Sequence, residues 1–230
     1  MEAQPLPASV IFDMDGVLVD SNPFHLQKWV GLLNEHQIDY DSEELPKQVL
    51  GHRNDKAFRY FFGPQITEPE MEQLSEELEE RFRQEFKPHA RPMPGLRTLI
   101  AECHGAGIVM AVASSAMCKN VEFVVDALGF GKYFHTLVSG DEVTHPKPDP
   151  EIYLKTAEKL QVSPAACVAF EDSYVGVESA KRAGMKCVAI ASTFPAQDLR
   201  THGYADLVVS SFEEVSLGRL RALFLADHAG

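Results

Sequence analysis

The chain has 230 residues, 45% of them hydrophobic and 24% charged, which is enough for one large α/β domain or a domain with a smaller insertion. Its 21 Lys and Arg stand against 34 Asp and Glu, and the formal net charge of −13 argues against nucleic acid or an anionic membrane as partner. No apolar run reaches the length of a membrane span, and Met1 to Ala8 lacks the basic and apolar regions of a signal peptide, so a cytoplasmic protein is expected.

The first predicted element is the apolar run 10–13, short and unbroken as in a buried parallel strand. It ends in Asp13-Met14-Asp15-Gly16. Two carboxylates two residues apart on extended backbone point to one side, and Gly16 lets the chain turn away. One carboxylate can attack as a nucleophile while its neighbour shuttles a proton. From about Asn22 to His89 no buried strand is legible, and the segment reads as four helices. In the last, residues 68–86, Met71, Leu74, Leu78 and Phe82 fall on one face and acidic residues on the other. Trp29 is assigned to the core of this segment. Pro92-Met93-Pro94-Gly95 marks the return, and an insertion beside the first strand end is well placed to be a lid that excludes water.

Further strands are expected at 109–113, 136–138, 167–170 and 187–190, with helices near 95–105, 118–128, 150–160 and 174–183. This alternation implies a parallel sheet covered on both faces, which binds ligands at the carboxyl ends of its strands. Asp13, Asp15, Ser114 and Glu171-Asp172 all fall at such ends. Cys167 and Cys187 sit in apolar runs and read as buried thiols, with no disulfide framework. The nine histidines show no metal-ligand spacing.

Four ordered motifs give the chain, over about residues 8–225, a resemblance to the haloacid dehalogenase (HAD) superfamily with a small helical cap. More narrowly it is similar to the β-phosphoglucomutase-like sugar phosphatases. The first motif runs from Asp13 through Asp15 and Gly16 to Ser21. The resemblance implies that Asp13 is the nucleophile and Asp15 the general acid/base, with Asp13 ionised and Asp15 able to take a proton. Asp15 favours phosphoryl transfer over carbon–halogen displacement, which does not need it. The second motif is Ser114, whose hydroxyl and neighbouring N–H groups would hold phosphate oxygens. Ser115 competes by one residue of slippage, but Ser114 matches the family position better.

The third is Lys147 in His145-Pro146-Lys147-Pro148-Asp149-Pro150, where flanking prolines stiffen a loop that can aim the ammonium at Asp13 and the phosphate. The chain carries Pro146 where many relatives carry Gly. The fourth is Glu171-Asp172-Ser173, followed by Gly176 and Ala180. Hard oxygen ligands suit Mg²⁺. The implied set is Asp13, the backbone carbonyl of Asp15 and Asp172, with Glu171 either a ligand or one water removed. Asp172 also competes as a helix N-cap. In the cap, His25 matches a histidine that follows the first motif and faces either substrate or solvent. Arg53, in Gly51-His52-Arg53-Asn54, suits a distal phosphate or sugar hydroxyls.

The expectation is therefore an α/β chain with a Rossmann-like parallel core, residues 1–20 and 90–230, and an inserted helical cap, residues 21–89. It would be a Mg²⁺-dependent phosphatase acting on a small phosphorylated metabolite, foremost a sugar phosphate, through an aspartyl-phosphate on Asp13. The alternative is a β-phosphoglucomutase that interconverts β-glucose 1-phosphate and glucose 6-phosphate through the same phosphoenzyme. Phosphonate cleavage would need a cap lysine placed for an imine, and none is evident. A non-enzymatic binding module is opposed by intact Asp13, Asp15, Lys147 and Asp172. The expected partner is a small phosphorylated molecule, with no nucleic acid and no membrane, and the chain is expected as a monomer or weak homo-oligomer.

Overall fold

The computed structural model describes residues 6–202 and 204–225. The first five residues, part of the stretch in which no signal peptide was recognised, lie outside the described residues.

In chain order the elements are β1 (Ser9–Phe12), α1 (Asn22–Glu35), α2 (Leu45–Val49), α3 (Asn54–Phe62), α4 (Glu68–Phe86), α5 (Leu96–Gly105), β2 (Val109–Ala113) and α6 (Cys118–Leu128). Then follow β3 (Thr136–Val138), α7 (Glu151–Leu160), β4 (Cys167–Glu171), α8 (Tyr174–Arg182), β5 (Lys186–Ile190), α9 (Ala196–Thr201), β6 (Leu207–Val209) and α10 (Leu217–Ala222). All strand pairs are parallel, and the sheet order is β3-β2-β1-β4-β5-β6. This is an α/β Rossmann-like fold. The sequence reading lacked β6, a three-residue strand at the sheet edge.

Alternate strand residues divide between two cores. Val10, Phe12, Met110, Val112, Val168 and Phe170 face one side, packed by α5, α6 and α10. Ile11, Ala111, Ala113, Ala169, Cys187 and Ala189 face the other, under α7, α8 and α9. Burial on both faces is why the strands read as unbroken apolar runs. The first face is filled by large side chains, with Phe12 stacked on Phe170 at 5.2 Å between ring centroids. The second is mostly small. Cys103, Cys167 and Cys187 are buried free thiols, and Cys118 is exposed.

Helices α1–α4 have a core of their own, built from Trp29, Leu33, Phe58, Met71, Leu78 and neighbours. The chain leaves and re-enters the sheet domain along paired extended segments: Met93 N–H donates to the Leu18 carbonyl at 3.0 Å, and Val19 bridges Pro92. α4 starts with a capping box between Thr67 and Glu70. Met71, Leu78 and Phe82 are buried as the stripe requires, and Leu74 is half-buried. Glu79 departs from the expected division of faces, since it is buried with the apolar residues. No described helix is long and apolar enough to cross a membrane.

Candidate active site

The sheet order runs outward in opposite directions from β1 and β4, and the crevice beyond their carboxyl ends is where such sheets place ligands. Asp13 follows β1, Ser114 follows β2, Glu171 ends β4 and Asp172 comes next. Gly16 has φ of +73°, and a Cβ there would stand 2.0 Å from Asp172 Oδ2. The loop after β1 therefore folds onto the end of β4 only with glycine at this point.

Lys147 Nζ donates to Asp13 Oδ1 at 2.8 Å, to Glu171 Oε1 at 2.6 Å and to the Ala113 carbonyl at 3.2 Å. Its loop is held by the Glu151 carboxylate, which accepts the backbone N–H groups of Thr144 and His145, and by the Ser179 hydroxyl, which donates to the Asp149 carbonyl. Burial works against the Lys147 charge, but Asp13 and Glu171 outweigh it and hold the ammonium protonated. Glu171 Oε1 also takes the Tyr153 hydroxyl at 2.5 Å. Gly176 leaves room for this carboxylate, since a Cβ there would approach it to 2.0 Å.

Three buried carboxylates thus share one cation. Burial pushes Asp13 well above the usual carboxylate range, Lys147 pulls it down, and Glu171 and Asp172 push it up again. Burial, with the Glu171 charge next, carries Asp172 to about 7. Asn22 Nδ2 donates to Asp172 Oδ2 at 3.0 Å, and the Thr193 hydroxyl donates to the same oxygen. Asp13, Glu171 and Asp172 offer oxygens within 4.8 Å of one another. This all-oxygen, charge-crowded set fits a hard divalent cation such as Mg²⁺, which would relieve the repulsion that raises these pKa values. The Asp15 carboxylate is not part of this cluster. Asp172 is not a helix N-cap: Ser173 holds that position, its hydroxyl accepting the Gly176 N–H at 3.2 Å.

Asp15 Oδ1 accepts the Ser21 hydroxyl at 2.5 Å and meets His25 Nε2 at 3.2 Å. Ser21 stands at the N-cap of α1 without capping it, because its hydroxyl turns to Asp15 instead. Burial pushes Asp15 up, but the His25 charge and the bonds from His25 and Ser21 win and hold it below its ordinary value. Burial pushes His25 down, and Asp15 more than reverses this. Asp15 is thus harder to protonate in this arrangement than the sequence led one to expect, because the His25 ring and the Ser21 hydroxyl stabilise its charge. Of the two orientations open to His25, the structure has the ring stacked on Phe82 and lining the cavity.

That cavity has a volume of about 430 Å³ and is walled by Asp13, Asp15 and Ser114 from the sheet domain and by residues of α1, α3 and α4. Ser114 is buried, and its hydroxyl accepts the Ala116 N–H at 3.1 Å. Ser115 instead donates to the Gly51 carbonyl, tying the core to the loop after α2. Arg53 lines the cavity, with its guanidinium turned onto the core: Nη1 donates to the carbonyls of Val143 at 3.3 Å and Gly140 at 3.5 Å, and Nε is 3.6 Å from Asp55. Sequence reasoning assigned no role to Ser21, Asn22, Tyr153, Thr193 or Glu79. Glu79 left a signal, since Met71, Ser75, Leu78, Glu79 and Phe82 share one helical face. Thr193 left none.

The family model described as haloacid dehalogenase-like hydrolase matches residues 10–190. A phosphorylated carbohydrates phosphatase of Thermotoga maritima is 32% identical over 178 residues, covering 77% of this chain and 82% of that protein. A β-phosphoglucomutase of Bacillus subtilis is 28% identical over 217 residues, covering 91% and 92%. The crystal structure of a β-phosphoglucomutase from Clostridium difficile superposes with a TM-score of 0.86 at 22% identity, covering 97% of this chain and 99% of that one, a likeness of fold.

Proposed function

The chain belongs to the haloacid dehalogenase-like hydrolase family and is a phosphomonoester hydrolase, and on that premise we propose that it dephosphorylates a small sugar phosphate through an aspartyl-phosphate on Asp13. The observation that carries this reading is the buried Asp13 at the strand-order reversal, with Lys147 on Oδ1 and the cavity in front of it. In this reading Asp13 attacks phosphorus, the bond to the leaving oxygen breaks, and the proton shared by His25 and Asp15 passes through Asp15 to that oxygen. Asp15 then takes a proton from water, whose oxygen attacks the phosphoaspartate and regenerates Asp13. The His25–Asp15 pair holds a proton at the place where the leaving oxygen needs it. The Ser114 hydroxyl and the Lys147 ammonium hold phosphate oxygens. Asp13, Asp172 and the Asp15 carbonyl, with Glu171 beside them, would hold Mg²⁺, which supplies charge neutralisation when bound.

Residues 1–20 and 90–230 form the catalytic core in this proposal, and 21–89 form a cap that shelters the phosphoenzyme. Hydrolysis is favoured over the mutase reaction because a bisphosphate intermediate needs a second phosphate site, and Arg53 is already engaged by core carbonyls. The test is ³¹P NMR with Mg²⁺ and a panel of sugar phosphates that includes β-glucose 1-phosphate with a trace of glucose 1,6-bisphosphate. Free phosphate is expected, and Asp13→Asn is expected to abolish it. Glucose 6-phosphate without free phosphate would establish the mutase instead.

A further inference from the structure

Glu79 on α4 is 5% exposed and lines the cavity in front of Asp13. Two neutral amides hold its carboxylate: Asn54 Nδ2 donates to Oε1 at 2.7 Å and Asn120 Nδ2 to Oε2 at 2.5 Å. These bonds satisfy the oxygens without neutralising the charge, and a buried charge without a counter-ion is unfavourable. The cations around it are committed elsewhere. Arg83 donates to Asn120 Oδ1 and to Glu76. His25, which feels the Glu79 charge, is bonded to Asp15. Because Arg83 occupies Asn120 Oδ1, the Asn120 amide is oriented with Nδ2 toward Glu79, and the carboxylate is fixed in place.

Further carboxylates, Asp55, Glu72 and Asp141, line the cavity, and Asp55 Oδ1 is sealed from solvent without a hydrogen-bond donor. Arg53 also lines it, and core carbonyls and Asp55 already engage its guanidinium. Burial, with Lys56 beside it, pushes His52 down to about 4, so its ring is neutral. The cavity therefore carries, besides the groups assigned to phosphate at Asp13 and Ser114, a buried carboxylate with no directly bonded cation among the described residues.

We propose that Glu79 determines specificity in this pocket, and that the phosphate ester it selects carries an ammonium on its leaving group, as an amino-sugar phosphate or a phosphorylated amino alcohol of similar size does. The proposal rests on the phosphatase reading for the location of the phosphate. With phosphate at Asp13, the ammonium supplies the missing counter-ion of Glu79, and Asp55 adds to the attraction. A carboxylate or second phosphate on the leaving group would face the same charges and be repelled. Glu79 selects the ester and takes no part in the bond exchange at phosphorus.

The test compares glucosamine 6-phosphate with glucose 6-phosphate, which differ in one amino group, by calorimetric titration with Mg²⁺ at mildly acidic pH. It uses Asp13→Asn, which binds without turnover, and Asp13→Asn combined with Glu79→Gln. The amino sugar is expected to bind about tenfold more tightly to the first, and the ratio is expected to fall to about one in the second. Equal affinities, a ratio that survives Glu79→Gln, or no binding of the amino sugar would overturn the proposal. If Glu79→Gln does not fold, Asp55→Asn should lower the ratio in the same direction, and an unchanged ratio would overturn it equally. Phosphate release by the wild-type chain is scored separately. An ammonium preference without phosphate release from any ester would sink the phosphatase reading and leave the charge selection standing.

Discussion

Lys147 Nζ lies 2.8 Å from Asp13 Oδ1 although 134 residues separate them in sequence. The same ammonium reaches Glu171, and all three side chains are nearly inaccessible to water. The only cation in direct contact with this buried acidic cluster, among the described residues, comes from a loop between β3 and α7 rather than from either acidic strand end. Lys147→Met should therefore cost about 3 kcal/mol in urea unfolding, since removing one partner strands buried charge. It should also cut phosphate release by about a hundredfold. A variant as stable and active as wild type would show that the carboxylates do not depend on this lysine.

Gly16 supports a second prediction. Its φ of +73° and the 2.0 Å approach of a hypothetical Cβ to Asp172 act together. Gly16→Ala should lose about 2 kcal/mol, of which left-handed backbone accounts for roughly 1 kcal/mol and the displaced carboxylate for the rest. Activity should fall with it, because Asp172 has to move. Wild-type stability in urea would mean that the loop relaxes freely.

The His25–Asp15 pair sets a pH dependence. Asp15 sits below its ordinary value of 3.8, so its contribution to stability is present above that value and lost as pH falls through the lowered one. His25 sits above its ordinary 6.5, so its contribution is full below 6.5 and lost as pH rises through the raised value. The pair therefore stabilises most between 3.8 and 6.5. His25→Gln should cost about 1 kcal/mol near pH 6 and measurably less near pH 9, read from denaturant midpoints. A cost independent of pH would show that the ring acts only by packing on Phe82.

Metal binding should depend on pH in the opposite sense. Without metal, burial and Glu171 raise Asp172 from 3.8 to about 7, so the folded chain holds that proton more tightly than the unfolded chain. Metal-free stability should fall as pH rises across that interval. Mg²⁺ must displace the proton below about pH 7 and need not above it. The rise in Tm on adding Mg²⁺ should be larger near pH 8 than near pH 5.5, and EDTA should remove it. Asp172→Asn should abolish most of the shift. Equal shifts at both pH values would take Asp172 out of the metal site.

Local chemistry made the sheet legible in the sequence. Strands buried on both faces have to be short apolar runs, as at Val109–Ala113 and Cys167–Glu171, and the polar residues that close them have to stand at one edge of the sheet. Asp13, Ser114, Lys147 and Asp172 could be placed by that logic and by their resemblance to one family. β6 was not read, although β3 at the opposite edge is as short and was, and Ser173 rather than Asp172 takes the N-cap because its hydroxyl, not the carboxylate, reaches the Gly176 N–H. Tertiary structure alone decided which side chains share the cavity. The acidic residues of α4 look alike in sequence, and only the docking of α4 against α3 and α6 buries Glu79 between Asn54 and Asn120 while Glu77 and Glu80 stay in water. Arg53 has the same character at the level of residue type whether it waits for a ligand or grips the Val143 carbonyl. Periodicity records which face of a helix is apolar, whereas charge compensation depends on which other element comes to lie against it.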